Sequence, residues 1–166
     1  MSARSPILIA YDGSTAARAA VQQAGALFAP GRAIVLTVWE PALADFTLVP
    51  DATGLGTTMM PYDSTVFREV DKAAADHARD IAEDGKKLAV AAGLDARPLV
   101  VEDESETAQT IVHEADTHDA AAIVIGSRGL KGLRSRLLGS TSKHVLERST
   151  RPVVVVRHPE DAESEQ

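Results

Sequence analysis

The sequence predicts an α/β fold: a single open five-stranded parallel sheet, order 3-2-1-4-5, with helices on both faces. Three observations carry this expectation. Short, continuous apolar runs recur along the chain, as suits strands buried on both faces of a parallel sheet. Stretches of helical periodicity separate them, so the elements read βαβαβαβαβ. Right-handed crossovers leave few topologies for such a chain, and the order 3-2-1-4-5 puts a topological switch between the first and fourth strands. A length of 166 residues suits one core.

The first strand is Ile7-Leu8-Ile9-Ala10-Tyr11. Asp12-Gly13-Ser14 breaks it, and Ser14 is suited to cap the alanine-rich helix that runs to Phe28 and stops at Pro30-Gly31. Ala33 to Val38 is the second strand. Residues 40–65 hold three prolines and two glycines and are too long for a routine connection, which marks an excursion or lid. Helical periodicity returns along Val66, Val70, Ala74, His77, Ile81 and Leu88. Gly85 on that face lets the helix approach the sheet, Gly93 ends it, and His77 is expected as a core or boundary residue. Arg97 to Glu102 is the third strand. Glu106 to His118 is the third helix, with Ala108, Ile111, Val112 and Ala115 inward. Ala121 to Ile125, Gly139 to Ser149 and Pro152 to Arg157 supply the fourth strand, fourth helix and fifth strand. The acidic tail, 158–166, is expected to be disordered.

Composition excludes several classes. With no cysteine, disulfides and thiolate metal sites are ruled out. No apolar run approaches the roughly 18–20 residues that span a bilayer, and the apolar run near the N-terminus is too short for a signal peptide. A cytoplasmic protein with no membrane partner is expected. A net charge of −7 and six aromatic residues argue against nucleic acid as a partner. The charge is uneven, however. Between Gly126 and Arg151 lie seven cations (Arg128, Lys131, Arg134, Arg136, Lys143, Arg148 and Arg151) against one anion, Glu147. Such a segment is either a solvated basic helix face or a site for a small polyanion.

Candidate chemistry gathers at the switch point. Asp12 closes the first strand and Gly126 the fourth, so two glycine-marked breaks, distant in sequence, line one crevice at the strands' C-terminal ends. The second break reads Gly126-Ser127-Arg128-Gly129, nine residues, then Gly139-Ser140-Thr141-Ser142. This is chemistry suited to phosphate. A helix N-terminus leaves amides unpaired and carries partial positive charge, glycine lets an anion approach the backbone, and hydroxyls add donors. Lys131 and Gly132 lie in the same loop. No G-x-x-x-x-G-K-[ST] and no G-x-G-x-x-G occurs, which weakens P-loop and dinucleotide readings. The histidines show no metal-ligand spacing. The acids Asp103, Glu104 and Glu106 read as a strand-to-helix turn favouring the helix dipole. Around Ser140 the sequence offers hydroxyls and cations but no neighbouring carboxylate to orient a water. At most slow hydrolysis of a bound phosphate compound is expected.

On these residues the chain resembles the universal stress protein family over roughly residues 5–157. Gly126, Gly129, Gly139 and Ser140 match the G-x2-G-x9-G-[ST] pattern of that family's ATP-binding members. Asp12 matches its acidic residue after the first strand, Val38 its position beside the adenine, and Pro152-Val-Val-Val-Val156 its final strand. The excursion and the tail depart from the family. The resemblance implies a nucleotide-binding domain over 1–157 that takes ATP, with Mg, in a stress or dormancy role. Ala10 and Val38 would meet the base through their backbones, and Asp12 would sit by the ribose or a phosphate-bound Mg. Gly126 and Gly129 would line the ribose and first phosphate. Gly139, Ser140, Thr141 and Ser142 would hold the outer phosphates, with Arg128 and Lys131 as neighbouring cations and Ser127 and Gly132 in the loop. A homodimer through residues 153–157 is also implied. Two rivals stay open: a nucleotide-free interaction module, and a nucleotidyl-transfer or pyrophosphatase enzyme on a related fold. The S-G-G-x-D-S and H-I-G-H strings that would mark such an enzyme do not occur.

Overall fold

The computed structural model describes residues 5–41, 64–103, 106–128 and 138–157. Most of the expected excursion and the expected tail lie outside these residues. The elements run β1 (Ile7–Ala10), α1 (Thr15–Phe28), β2 (Arg32–Trp39), α2 (Ser64–Ala91), β3 (Asp95–Glu102), α3 (Thr107–Thr117), β4 (Ala122–Gly126), α4 (Ser140–Arg148) and β5 (Val153–Val156). All five strands are parallel in the order β3-β2-β1-β4-β5. The predicted fold class and strand order are those observed.

Strand alternation divides the core into two layers. Ile7, Ile9 and Tyr11 join Ala17, Ala20, Val21, Ala24 and Ala89 on the side of α1 and α2. Leu8 joins Leu36, Ala108, Ile111, Ile123, Ile125 and Val145 on the side of α3 and α4. Burial on both faces is why the strands read as unbroken apolar runs rather than alternating ones.

The helices come close because their inner faces are small. On α1 the buried residues are Ala16, Ala17, Ala20, Val21, Ala24 and Gly25. Its start is fixed as the sequence predicts, with the Ala17 amide donating to Ser14 Oγ at 3.1 Å. Gly13, at φ 80°, supplies the left-handed turn before it. On α2 a side chain at Gly85 would stand 2.6 Å from Tyr11 Cδ1 and 2.8 Å from Val35 Cγ1, so glycine is required there.

The inward face of α2 departs from the expected one. Its buried residues include Ala78, Ala82 and Ala89, whereas His77 is exposed and Val70 is 47% exposed. Ile81 and Leu88 of the periodic pattern do pack against the core, partly buried, with Gly85 buried between them. The departure therefore lies toward the start of α2, at Val70 and His77, and the closest approach is made by the small residues.

Tyr11 extends the β1–β2 ladder, its amide donating to Leu36 O at 2.8 Å, while the Thr37 hydroxyl donates to Tyr11 O at 2.9 Å. Its phenol packs against Gly85, and Tyr11 Oη is buried with no hydrogen-bond partner among the described residues. Burial pushes this phenol's pKa up, opposed by Arg18. An unmade buried hydrogen bond is costly, so Tyr11→Phe should raise the unfolding free energy by about 1 kcal/mol. Urea denaturation checks this, and a destabilised variant would show that the hydroxyl has a partner.

Candidate functional site

β1 ends at Ala10, while β2 runs on to Trp39 alongside β3, pairing Val38 with Val101. Val38 therefore stands beyond the end of β1. On the other side of β1, the chain leaves β4 at Gly126. A crevice opens between these two exits, at the C-terminal ends of the strands, where ligands of open α/β sheets bind.

A cavity of about 180 Å³ occupies the crevice. Ala10, Leu36, Val38, Ile111 and Ile125 form its apolar part. Asp12, Thr107, Arg128, Ser140, Thr141 and Ser142 supply its polar side chains, with Gly126 and Gly139 on the wall. Of the residues singled out in the sequence, Ala10, Asp12, Val38, Gly126, Arg128, Gly139, Ser140, Thr141 and Ser142 thus share one cavity. Ser127 is wholly buried and is not on its wall. Gly129, Lys131 and Gly132 lie outside the described residues. Sequence reasoning missed Tyr11, Ala17, Leu36, Thr107, Ile111 and Ile125 as lining residues. Two of them had a signal: Leu36 shares a strand face with Val38, and Thr107 is one helical turn from the inward Ile111.

The two described glycines of the loop differ in what they do. At Gly126 an added Cβ would meet the Ala16 carbonyl carbon at 2.8 Å and its oxygen at 2.9 Å. Glycine is needed there to seat α1 against β4. At Gly139 a Cβ would meet only ordinary contacts, Ser127 O at 3.4 Å and Arg128 Cα at 3.6 Å. Its φ of −67° and ψ of 161° are open to any residue. Neither packing against the described residues nor backbone conformation demands glycine at 139, which begins α4 beside the cavity.

Ser127 fixes that beginning. Its carbonyl accepts from the Gly139 amide at 2.7 Å and from Ser142 Oγ at 3.0 Å. Ser142 Oγ also lies 3.0 Å from Gly139 O, so this hydroxyl donates inward to the backbone. The next amides of α4, at 140–142, belong to the first turn, which has no intrahelical acceptors. Asp12 is also structural: its Oδ1 accepts from the Ser14 amide at 3.0 Å, closing the turn from β1 into α1.

Cations of the basic segment are partly neutralised. Arg148 pairs with Glu106 at 2.5 Å, Lys143 with Glu147 at 3.7 Å, and Arg151 with Asp116 at 2.7 Å. The excess positive charge therefore does not all face an anion site. Arg128 is the described cation that lines the cavity.

The acidic turn before α3 also divides its labour. Asp103 accepts from Thr107 Oγ1 at 2.7 Å and Thr110 Oγ1 at 3.0 Å. Glu106, at the N-cap position, makes no side-chain cap. It reaches α4 instead, meeting His144 Nδ1 and Arg148 at 2.5 Å each. Glu104 lies outside the described residues. Among the described residues no group of three or more His, Cys, Asp or Glu could hold a metal ion. Asp12 is the carboxylate among the described residues that line the cavity. Among the described residues no helix is long and apolar enough to cross a membrane.

These features define an open α/β protein with a cavity at its topological switch point. The chain belongs to the universal stress protein family, whose model matches residues 4–157. It is 33% identical over 153 residues to a universal stress protein in the QAH/OAS sulfhydrylase 3′ region of Thermus aquaticus, covering 91% of this chain and 97% of that one. It is 38% identical over 77 residues to universal stress protein YxiE of Bacillus subtilis, a match spanning 46% of this chain and 51% of the relative. Among solved structures, it is similar to a universal stress protein in complex with cAMP, at 26% identity and a TM-score of 0.58, covering 93% of this chain and 98% of that one. The universal stress protein of Archaeoglobus fulgidus in complex with dAMP shares the fold, at 21% identity and a TM-score of 0.61 over the same shares of the two chains, 93% and 98%.

The Glu106 clasp carries a pH prediction. Its hydrogen bond from Arg148, then that from His144, hold the Glu106 carboxyl below the usual carboxylate range. A depressed folded-state pKa contributes stability above the ordinary carboxylate range and loses it as pH falls through the depressed value. Glu106→Gln should therefore lower Tm at neutral pH and flatten its fall toward acid. Circular dichroism melts across that range check this. A variant parallel to wild type at every pH would show that the clasp contributes nothing.

Proposed function

We propose that this protein binds ATP in the switch-point cavity and acts as a regulatory protein in stress or dormancy. The observation that carries the reading is Gly139, a glycine that neither its backbone nor packing against the described residues requires, placed at the start of α4 on the cavity wall. An anion approaching those amides needs the space that a side chain would fill. The complex of a family member with cAMP, 26% identical to this chain, supports an adenine nucleotide as ligand.

In this reading Ala10, Leu36, Val38 and Ile111 enclose the base, and Asp12 meets the ribose or a phosphate-bound magnesium. Gly126 borders the sugar and first phosphate. The amides at 140–142 and the hydroxyls of Ser140 and Thr141 take the outer phosphates. Ser142 contributes its amide, since its hydroxyl is turned to the backbone. Arg128 and Lys131 offset phosphate charge, Gly129 joins Gly126 beside the ribose and first phosphate, and Gly132 belongs to the same loop. The cavity is smaller than the roughly 300–1,000 Å³ of most ligand sites, consistent with enclosed base and sugar and phosphates along the rim.

Calorimetry and thermal shift with ATP, ADP, AMP and GTP test the reading. ATP at about 100 times its dissociation constant should stabilise the fold by roughly 2.7 kcal/mol, and AMP at equal concentration by less. Gly139→Val should lose ATP binding at a stability cost of about 1 kcal/mol or less. Gly126→Val should instead lose several kcal/mol of stability, on the order of an overpacked core. Wild-type protein that ignores millimolar ATP would leave the nucleotide-free interaction module.

We further propose a two-fold homodimer through residues 153–157. β5 is a sheet edge, and its own chain leaves Val153, Val154 and Val155 only partly buried. An exposed apolar edge strand invites pairing, and a two-fold axis makes it self-complementary. Light scattering at micromolar concentration should report twice the monomer mass, and Val154→Lys should halve it. A monomeric wild type would overturn the assembly.

A further inference from the structure

The first turns of α3 and α4 both line the cavity, through Thr107 on one and Ser140, Thr141 and Ser142 on the other. The charged clasp adjoins both turns. Glu106 immediately precedes Thr107, and His144 follows Ser140 by one helical turn, a rise of roughly 6 Å along α4. His144 Nδ1 lies 2.5 Å from one oxygen of Glu106, and Arg148 lies 2.5 Å from the other. An ionised carboxylate only accepts, so the imidazole nitrogen that faces it carries a hydrogen. That hydrogen is present whether the ring is neutral or charged. What changes with pH is the charge of the clasp. With a neutral ring, Glu106 and Arg148 cancel. With a protonated ring, the clasp carries one net positive charge. Histidine changes charge between about pH 5 and 8. Hydrogen bonds from Arg148, then from His144, hold the Glu106 carboxyl below the usual carboxylate range, so it stays ionised through that window.

We propose that His144 makes the anion site pH-sensitive: a protonated ring strengthens the hold on a polyphosphate at the start of α4, and a neutral ring weakens it. The proposal rests on the nucleotide reading above. The effect is electrostatic and needs no contact between His144 and the ligand. Other charges on the surrounding elements do not duplicate it. On α4 itself Lys143 and Glu147 pair with each other. On α3 and the turn before it, Asp103 takes Thr107 and Thr110, Glu114 takes His118 and Asp116 takes Arg151, while His113 is exposed. β5 brings four valines, followed by Arg157. At the cavity, Arg128 after β4 keeps its charge at every pH considered, and Asp12 after β1 accepts from the Ser14 amide. If the protonated form binds more tightly, linkage requires that binding also takes up protons.

The experiment is calorimetry of ATP binding to the full chain at pH 6 and pH 8, in buffers of different ionisation enthalpy so that proton uptake is counted. His144→Gln keeps a donor toward Glu106 and never carries charge, whereas His144→Arg carries it at both pH values. The nucleotide's own protonation is common to all three proteins and cancels between them. The affinity ratio between pH 6 and pH 8 should be roughly threefold larger in wild type than in His144→Gln, the worth of one screened charge near a polyphosphate. Wild type should also take up more protons on binding than either variant. At pH 8, His144→Arg should bind ATP more tightly than wild type. A merely structural role would move the melting temperature of the variants and leave proton uptake equal in all three, which would overturn the proposal while ATP binding stands. His144→Arg that behaves as His144→Gln would overturn it as well. No ATP binding by wild type at either pH would overturn the nucleotide reading together with it.

Discussion

The backbone of Ser127 holds the candidate site together. Its amide donates to Val156 O at 2.7 Å, and its carbonyl accepts from the Gly139 amide at 2.7 Å and from Ser142 Oγ at 3.0 Å. One wholly buried peptide segment thus ties the end of β4 to the end of β5 and to the first turn of α4. A buried backbone group left unpaired is expensive, so these bonds act as a fixed joint rather than a loose contact. The amides at the start of α4 have a defined direction because that joint sets where the helix begins. The Asp12–Ser14 turn does the same for the opposite side of the crevice, bending the chain from β1 into α1. Both sides of the site are therefore organised by main-chain geometry. A site built this way relies less on any single side chain than one assembled from exposed charges.

The fold was legible because the strands are unbroken apolar runs and the breaks between elements are chemically distinct. Ser14 read as a cap and proved to be one, and Gly85 read as a close-approach position and proved to be one. The α2 face was right at Ile81, Gly85 and Leu88 and misjudged nearer the start of the helix, because periodicity alone does not say where along a long helix the sheet stops covering it. His77 and Val70 follow the pattern and still face outward. The loop glycines were legible as a motif but not as individuals. Gly126 answers to the backbone of Ala16, a contact between residues far apart in sequence, and no local pattern announces it. The α3 wall was missed for a similar reason. Thr107 and Ile111 become part of the cavity only when the topology carries α3 beneath the switch point. The basic segment misled in the opposite direction, since its partners Glu106 and Asp116 lie some thirty to forty residues away.

The two helical layers are joined by different forces. Between α1 and the end of α2 the contact is short-range and apolar: a Cβ on Gly25 would stand 2.5 Å from Cβ of Ala92, the residue that follows α2. Between α3 and α4, Ile111, Ala108 and Val145 form an apolar seam, and the Glu106–His144–Arg148 clasp is added at its edge. The members of that clasp are between about a third and a half exposed. Exposed pairs of this kind are individually weak, and they sit on the layer that carries the cavity.

That asymmetry gives the molecule a stiff side and a tunable side. Dispersion contacts between alanines and glycines are indifferent to dissolved ions, whereas partly exposed charge pairs are screened over about 8 Å at physiological ionic strength. As salt rises, the α1 and α2 contacts are unchanged, while the Glu106 clasp at the edge of the α3–α4 seam is screened and the seam itself remains. Thr107 and Ile111 of α3 and Ser140, Thr141 and Ser142 of α4 line the cavity, so the screened clasp joins the two helices that form one side of its wall.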